Sequence, residues 1–202
     1  MNSILKLDDD KKNVLAWSSG NHAQAIASAC YLTNKKATIV MPEDSPNAKL
    51  NGTKSWGANI VTFNRYSESR EEIGISLAKE INAEIIPPFD HPDVINGQGT
   101  VGYEIISDFK KNNIQPDLVL CCCGGGGLIA GVSTAIKAEF PNVPIYAVEP
   151  EDYNDTFLSL RNNKITKVDV SKKSICDSLL ASKPGELTFS INKENLSGSL
   201  LV

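Results

Sequence analysis

Residues 117–131 constrain the fold of this chain more than any other stretch. Leu118, Val119, Leu120, Cys121, Cys122 and Cys123 form a short apolar run after Asp117, which reads as a buried β-strand. Gly124, Gly125, Gly126 and Gly127 follow it, and Leu128, Ile129 and Ala130 open an apolar pattern of helical length. A strand, a glycine turn and a helix together make an anion site. Glycine lets a ligand come within hydrogen-bonding distance of main-chain N–H groups, and the helix start adds unpaired donors and the positive end of its dipole. Phosphate is the natural occupant. A flexible glycine linker is the alternative, but linkers are not usually wedged between a buried strand and an amphipathic helix.

The remaining chain repeats the alternation. Ile4, Leu5 and Leu7 fit the end of an amphipathic helix over residues 2–7, followed by a polar turn at 8–13. Strands are expected at 14–17, at 37–41 with Pro42 as its stop, at 59–63, at 84–86 and at 144–148. Helices are expected at 23–31, 47–57, 67–81 and 102–111, with Ser69, Glu71 and Glu72 in the first turn of the third and Ile73, Leu77 and Ile81 on one face. Strands alternating with helices imply parallel βαβ units, hence an α/β architecture. The proline-bearing stretch 87–96 is the expected crossover between domains. Past Leu160 the pattern weakens, and Leu201 and Val202 look like the start of another strand.

Composition excludes several classes. A net charge of −4 leaves no electrostatic footprint for nucleic acid. No apolar run approaches the length of a membrane span, and residues 1–7 are too short for a signal peptide. Five cysteines, three of them adjacent, make a poor disulfide framework. Cys121 and Cys122 point to opposite faces of a strand and cannot share one metal ion. The cysteines read as buried small apolar residues in a reducing compartment, with the cytoplasm as default.

Ligands of open parallel sheets bind beyond the carboxyl ends of the strands. Besides the glycine run, a second strand end carries polar groups: Ser18, Ser19, Gly20, Asn21 and His22. Helix capping by Ser19 or Asn21 explains that segment equally well. A Ser/His hydrolase lacks context, because Ser19 sits in no G-x-S-x-G and the other histidine, His91, lies in the proline-rich stretch.

Taken together, Ser18–Ser19–Gly20–Asn21–His22–Ala23–Gln24–Ala25, Met41–Pro42, Gly97–Gln98–Gly99–Thr100, the four glycines with Leu128, and Glu149–Pro150 are recognisable. The chain resembles the fold-type II pyridoxal-phosphate enzymes, in the branch of serine/threonine dehydratases, serine racemases and hydroxyaspartate dehydratases. The likeness runs in order along essentially the whole chain. It implies a three-layer parallel-sheet α/β sandwich of the tryptophan synthase beta-like kind. Residues 1–13 would be a remnant of a large-domain helix, 14–94 an intact small domain and 95–202 part of the large cofactor-binding domain.

The resemblance also implies roles. Gly124, Gly125, Gly126 and Gly127, with Leu128, would hold the phosphate of pyridoxal 5′-phosphate, and Asn21 its ring hydroxyl. Ser18, Ser19, Gly20 and His22 would receive the carboxylate of a small amino-acid substrate. In a racemase, Ser19 would be the acid/base on the cofactor face opposite the lysine. Glu149, the carbonyl of Tyr153 and Asp155 match a divalent-cation site suited to Mg²⁺ or Ca²⁺. The full-length family is commonly homodimeric.

One departure bears on activity. The family's Schiff-base lysine lies in a segment like S-F-K-x-R-G-A, shortly before the helix matching residues 2–7, and this chain starts after it. Lys6, Lys11 and Lys12 lack that context. The group facing the pyridine nitrogen would lie beyond Val202. The expectation is therefore a chain short at both ends, with cofactor binding weakened and turnover of an amino acid impaired. Its reaction in the family is dehydration with loss of ammonia, or racemisation, of a β-hydroxy amino acid. A shortened, non-catalytic paralogue that binds a phosphate ligand or an intact homologue is the alternative. A nucleotide-binding Rossmann protein is a third reading, against which the glycine run lacks G-x-G-x-x-G spacing.

Overall fold

The computed structural model describes residues 1–202, and their contacts divide the chain into two units, Met1–Pro88 and Phe89–Val202. In the first, helix α1 (Asn2–Leu5) precedes β1 (Asn13–Trp17), α2 (Asn21–Leu32), β2 (Lys36–Pro42), α3 (Asn47–Ser55), β3 (Asn59–Phe63), α4 (Arg70–Glu80) and β4 (Ala83–Ile85). The strands form one sheet in the order β3-β2-β1-β4, every pair parallel. β1 is central: Asn13 stands opposite Lys36 on one side and Ala83 on the other. Parallel neighbours need crossovers, and helices supply them.

Both faces of β1 are buried from Val14 to Trp17, which is why that run is continuously apolar. Leu15 and Trp17 join Val40, Phe63 and Ala78 in one core cluster, with Ile73 and Leu77 of α4 packed against it. Val14, Ala16, Ile39 and Met41, on the opposite face by strand alternation, are also fully buried. Ser69 caps α4, its side chain accepting from the Glu72 N–H, with Glu71 and Glu72 in the first turn. That helix begins at Arg70 rather than residue 67. Pro42 does not end β2 early; it is the last paired residue, opposite Phe63, and Glu43 N–H donates to the Phe63 carbonyl in its stead.

The second unit comprises α5 (Pro92–Asn112), β5 (Val119–Cys122), α6 (Gly127–Glu139), β6 (Ile145–Glu149), a 3-10 turn (Glu151–Tyr153), α7 (Asp155–Asn162), α8 (Glu186–Asn195) and β7 (Gly198–Leu201). Its sheet is parallel in the order β5-β6-β7. Ile106, Cys123, Ile129, Val132, Ile136, Ile145 and Ala147 form its core. No helix of the chain is long and apolar enough to cross a membrane.

Four expectations are corrected here. The helix expected from residue 102 starts ten residues earlier: Pro92 occupies its first turn and the His91 ring caps it, accepting from the Asp93 N–H. Gly97, Gly99 and Gly102 therefore lie inside α5, where Gly102 lets α6 approach closely; a Cβ on it would stand 2.9 Å from the Val132 carbonyl oxygen. β5 is not buried on both faces. It is an edge strand, and Leu118, Leu120 and Cys122 are exposed on one side. The cysteines accordingly differ: Cys30 and Cys123 are buried, Cys121 and Cys176 half-buried, and Cys122 exposed, all as free thiols. Leu201 closes a strand, and the featureless stretch before it contains α8.

Candidate functional site

The glycine run leaves β5 at Cys123, whose N–H still donates to the Val148 carbonyl of β6 at 2.9 Å. Gly126 is the N-cap of α6, with φ of 91°, a left-handed conformation that favours glycine over residues with a Cβ. Gly125, Gly126 and Gly127 are buried, yet the N–H groups of residues 124–127 donate to no acceptor in the protein. Buried main-chain donors are nearly always paired, so a row of unpaired ones at a 13-residue helix's start is a cradle for an anion.

The carbonyls of Gly125 and Gly126 are both occupied. Thr188 Oγ1 of α8 donates to the Gly125 carbonyl at 2.8 Å, and Asn192 Nδ2 donates to the Gly126 carbonyl at 3.2 Å. The Gly185 N–H adds a longer bond to Gly125 at 3.3 Å, and Ala130 N–H one to Gly126 at 2.9 Å. α8 is in turn fixed by Asp90, whose carboxylate accepts from the N–H groups of Glu186, Leu187 and Thr188 at 2.9–3.2 Å. Phe89 packs on the run, and a Cβ on Gly125 would stand 2.3 Å from its ring. Sequence reasoning missed Phe89, Asp90, Thr188 and Asn192, and Asp90 lies 96 residues from its first partner. No local signal marks such a pairing.

Glu149 ends β6 and Asp155 opens α7, with Tyr153 in the turn that joins them. Both carboxylates are fully buried. The Glu149 oxygens accept from the N–H groups of Thr156 and Phe157, each at 2.8 Å, and from Ser199 Oγ at 2.5 Å. Burial nevertheless holds the Glu149 carboxyl above its ordinary range. Neither oxygen of Asp155 has a partner. Burial first, and then the Glu149 carboxylate, push the Asp155 carboxyl up to about 8. The Tyr153 hydroxyl lies within hydrogen-bonding reach of the carbonyls of Val170 and Lys172, which share its one proton and tie down the irregular stretch that follows α7. Cys123 Sγ lies 3.3 Å from Thr156 Oγ1, and burial pushes its thiol up as well. No group of three His, Cys, Asp or Glu side chains is placed to hold a metal ion, so a cation here would draw its third protein ligand from the backbone.

In the first unit, residues 18–20 form the turn from β1 into α2, and Asn21 and His22 open the helix. Ser18 N–H continues the sheet by donating to the Val40 carbonyl at 3.1 Å, and Ser18 Oγ accepts from the Gly20 N–H at 3.2 Å. The N-cap of α2 is Gly20, with no side-chain capping bond. Neither Ser19 nor Asn21 takes the capping position, and the α2 start keeps its dipole for another partner. Asn21 is exposed, and His22 Nε2 lies 3.0 Å from the Ile86 carbonyl. Lys49 flanks the turn; a Cβ on Gly20 would come within 3.3 Å of its side chain. That cation lies on α3, the next helix but one, and went unnoticed in the sequence.

Two parallel α/β units whose polar groups gather at the carboxyl ends of strands define a ligand-binding α/β protein. The chain belongs to the pyridoxal-phosphate dependent enzyme family, whose model matches residues 1–202. It is 45% identical to the L-threo-3-hydroxyaspartate ammonia-lyase of Saccharomyces cerevisiae, covering all of this chain and 61% of that protein. It is 38% identical to the serine racemase of Schizosaccharomyces pombe, covering all of this chain and 62% of that protein. Among solved structures, the threonine deaminase of T.th. superposes with a TM-score of 0.92 at 38% identity, over the whole of this chain and 64% of that one. Maize serine racemase does so with a TM-score of 0.89 at 35% identity, over the whole of this chain and 60% of its own length. The chain thus spans about six-tenths of the length of the relatives it matches. Its α/β fold with parallel sheets is that of these fold-type II neighbours.

Proposed function

We propose that this chain carries the cofactor- and substrate-binding portion of a pyridoxal-phosphate ammonia-lyase or racemase acting on β-hydroxy amino acids of the serine, threonine and hydroxyaspartate type. The observation that carries the reading is the buried run Gly125–Gly127, its donors unpaired and its first two carbonyls engaged. The phosphate of the cofactor fits this cradle, since a dianion needs several N–H donors at a helix start and no side chain in the way.

When bound, pyridoxal phosphate supplies the electron sink for the pair left behind as a proton leaves the substrate Cα. The chain's own residues would do the rest. Gly124, Gly125, Gly126 and Gly127 would hold the phosphate through main-chain N–H groups, with Leu128 as a further cofactor contact, and Asn21 would serve the ring hydroxyl. Ser18, Ser19, Gly20 and His22, with the start of α2, would hold the substrate carboxylate. In a racemase Ser19 Oγ exchanges a proton at Cα. No lysine of the chain is assigned as the Schiff-base residue.

Glu149, Asp155 and the Tyr153 carbonyl would hold Mg²⁺ or Ca²⁺. A buried carboxylate with both oxygens unpartnered beside a second carboxylate is the donor set that a hard cation satisfies. Residues 14–94 would be the small domain and 95–202 part of the large one, in a cytoplasmic homodimer. Titration of the chain with pyridoxal phosphate, followed by absorbance and then borohydride reduction, tests the reading. Saturable binding that protects residues 124–128 from hydrogen exchange is the expected result. Absence of any saturable phosphate-dependent binding overturns it.

A further inference from the structure

We infer that Thr188 and Asn192 are positioning residues of the phosphate cradle, and that Asp90 holds them in register. In a planar trans peptide the carbonyl of one residue and the N–H of the next point in opposite directions. The Thr188 hydroxyl on the Gly125 carbonyl therefore aims the Gly126 N–H away from α8. Asn192 Nδ2 on the Gly126 carbonyl does the same for the Gly127 N–H. The two amides at the head of α6 are set by side chains of another helix, about sixty residues further along the chain.

Burial argues that this is more than fastening α8 to the core. Thr188 and Asn192 are both fully buried. Asn192 Oδ1 has no hydrogen-bond partner at all, a cost an apolar residue at that position would avoid. The asparagine keeps one polar atom unpaired while its other end holds a glycine carbonyl. Asp90 fixes the helix rotationally by taking three consecutive N–H groups at its start, and Gly185 leaves room for it, since a Cβ there would stand 2.3 Å from Asp90 Oδ1. An α8 free to turn would release both carbonyls together.

The inference rests on the cradle being a phosphate site, and its test separates the two. The full chain is titrated calorimetrically with 4-deoxypyridoxine 5′-phosphate, which cannot form a Schiff base, and with 4-deoxypyridoxine, which lacks the phosphate. Thr188→Val keeps the shape and removes the hydroxyl. It is expected to weaken the phosphate-bearing ligand roughly tenfold or more, the scale of one hydrogen bond to a charged group, and to leave the phosphate-free ligand unchanged. Thr188→Ser restores the preference, which a merely structural role would not require. Asn192→Ala is expected to behave as Thr188→Val does.

A wild-type chain that takes both ligands equally overturns the cradle and the inference together. A wild-type preference that survives in Thr188→Val and Asn192→Ala overturns the inference alone. Should the variants fail to fold, amide NMR of the wild-type chain with inorganic phosphate decides. The Gly126 and Gly127 protons are then expected to move most, and shifts confined to Gly124 and Gly125 overturn it.

Discussion

After β1 the chain enters α2 through Ser18, Ser19 and Gly20, and after β5 it enters α6 through four glycines. Both turns sit at carboxyl ends of parallel strands, and both lead into helices whose N-cap is a glycine with no side-chain capping bond. The materials differ. The first turn presents hydroxyls, an amide and an imidazole, partly in solvent, with Lys49 alongside. The second presents main chain only and is packed by Phe89, by α8 and, through Gly131, by α5. A side-chain turn can change what it recognises without disturbing the fold. A backbone turn is recognised by its shape, so its neighbours are part of the site.

The largest effect is expected at Gly131, one turn along the helix that the glycine run opens. A Cβ there would stand 2.4 Å from the Ile95 carbonyl oxygen and 2.5 Å from the Gly99 nitrogen, both backbone of α5. Gly131→Ala is expected to cost about 3 kcal/mol in urea unfolding; an unchanged midpoint would mean that α5 does not seat the backbone turn. Next comes Gly125→Ala, expected to cost about 2 kcal/mol, because the obstruction is the Phe89 ring, which can shift. Combining it with Phe89→Leu is expected to recover part of that loss, as contacting residues couple.

In the side-chain turn the same measurement is expected to show almost nothing. Asn21 is exposed, so Asn21→Ala is expected to move stability by less than about 0.5 kcal/mol while weakening a ligand that bears the pyridine hydroxyl. A loss in stability as large as that of Gly125→Ala would erase the distinction between the two turns.

The smallest effect compares one cysteine from each of the two units. Iodoacetamide at neutral pH is expected to modify exposed Cys122 and spare buried Cys30. Burial pushes the Cys30 thiol up to about 11, against a smaller opposing pull from Lys35. A thiol raised in the folded state favours folding most below its ordinary value of 9.0, and that contribution is lost as pH rises towards 11. The melting temperature of Cys30→Ala is therefore expected to fall less than that of the wild type over this range.

Much of the fold was legible where local and tertiary preferences agree. β3 matched its apolar pattern to the residue, and Ser69 with Glu71 and Glu72 announced the start of α4. Legibility failed where a distant partner overrules the local pattern. Pro92 read as part of a crossover and the helix was expected only from Gly102, yet proline suits a first turn and Gly102 lies inside α5 because α6 approaches it closely. Leu187, Phe189 and Ile191 alternate as in a strand, and α8 is a helix because Asp90 holds its first donors. At the glycine run the residues themselves were plain in the sequence, whereas the hydroxyl, amide and carboxylate that orient them lie on other elements.

The register of the first sheet also sets a schedule. Asn13 pairs with Lys36 and with Ala83, so β1, the central strand, gains its second neighbour only after about 70 further residues are made. At synthesis rates of about 5–20 residues per second that interval is roughly 4–14 s. Throughout it, an apolar strand with one open edge is held only by β2. A nascent chain of this topology makes an apolar strand well before the strand that closes its second edge, which makes the wait for β4 a moment at which a holding chaperone has much to do.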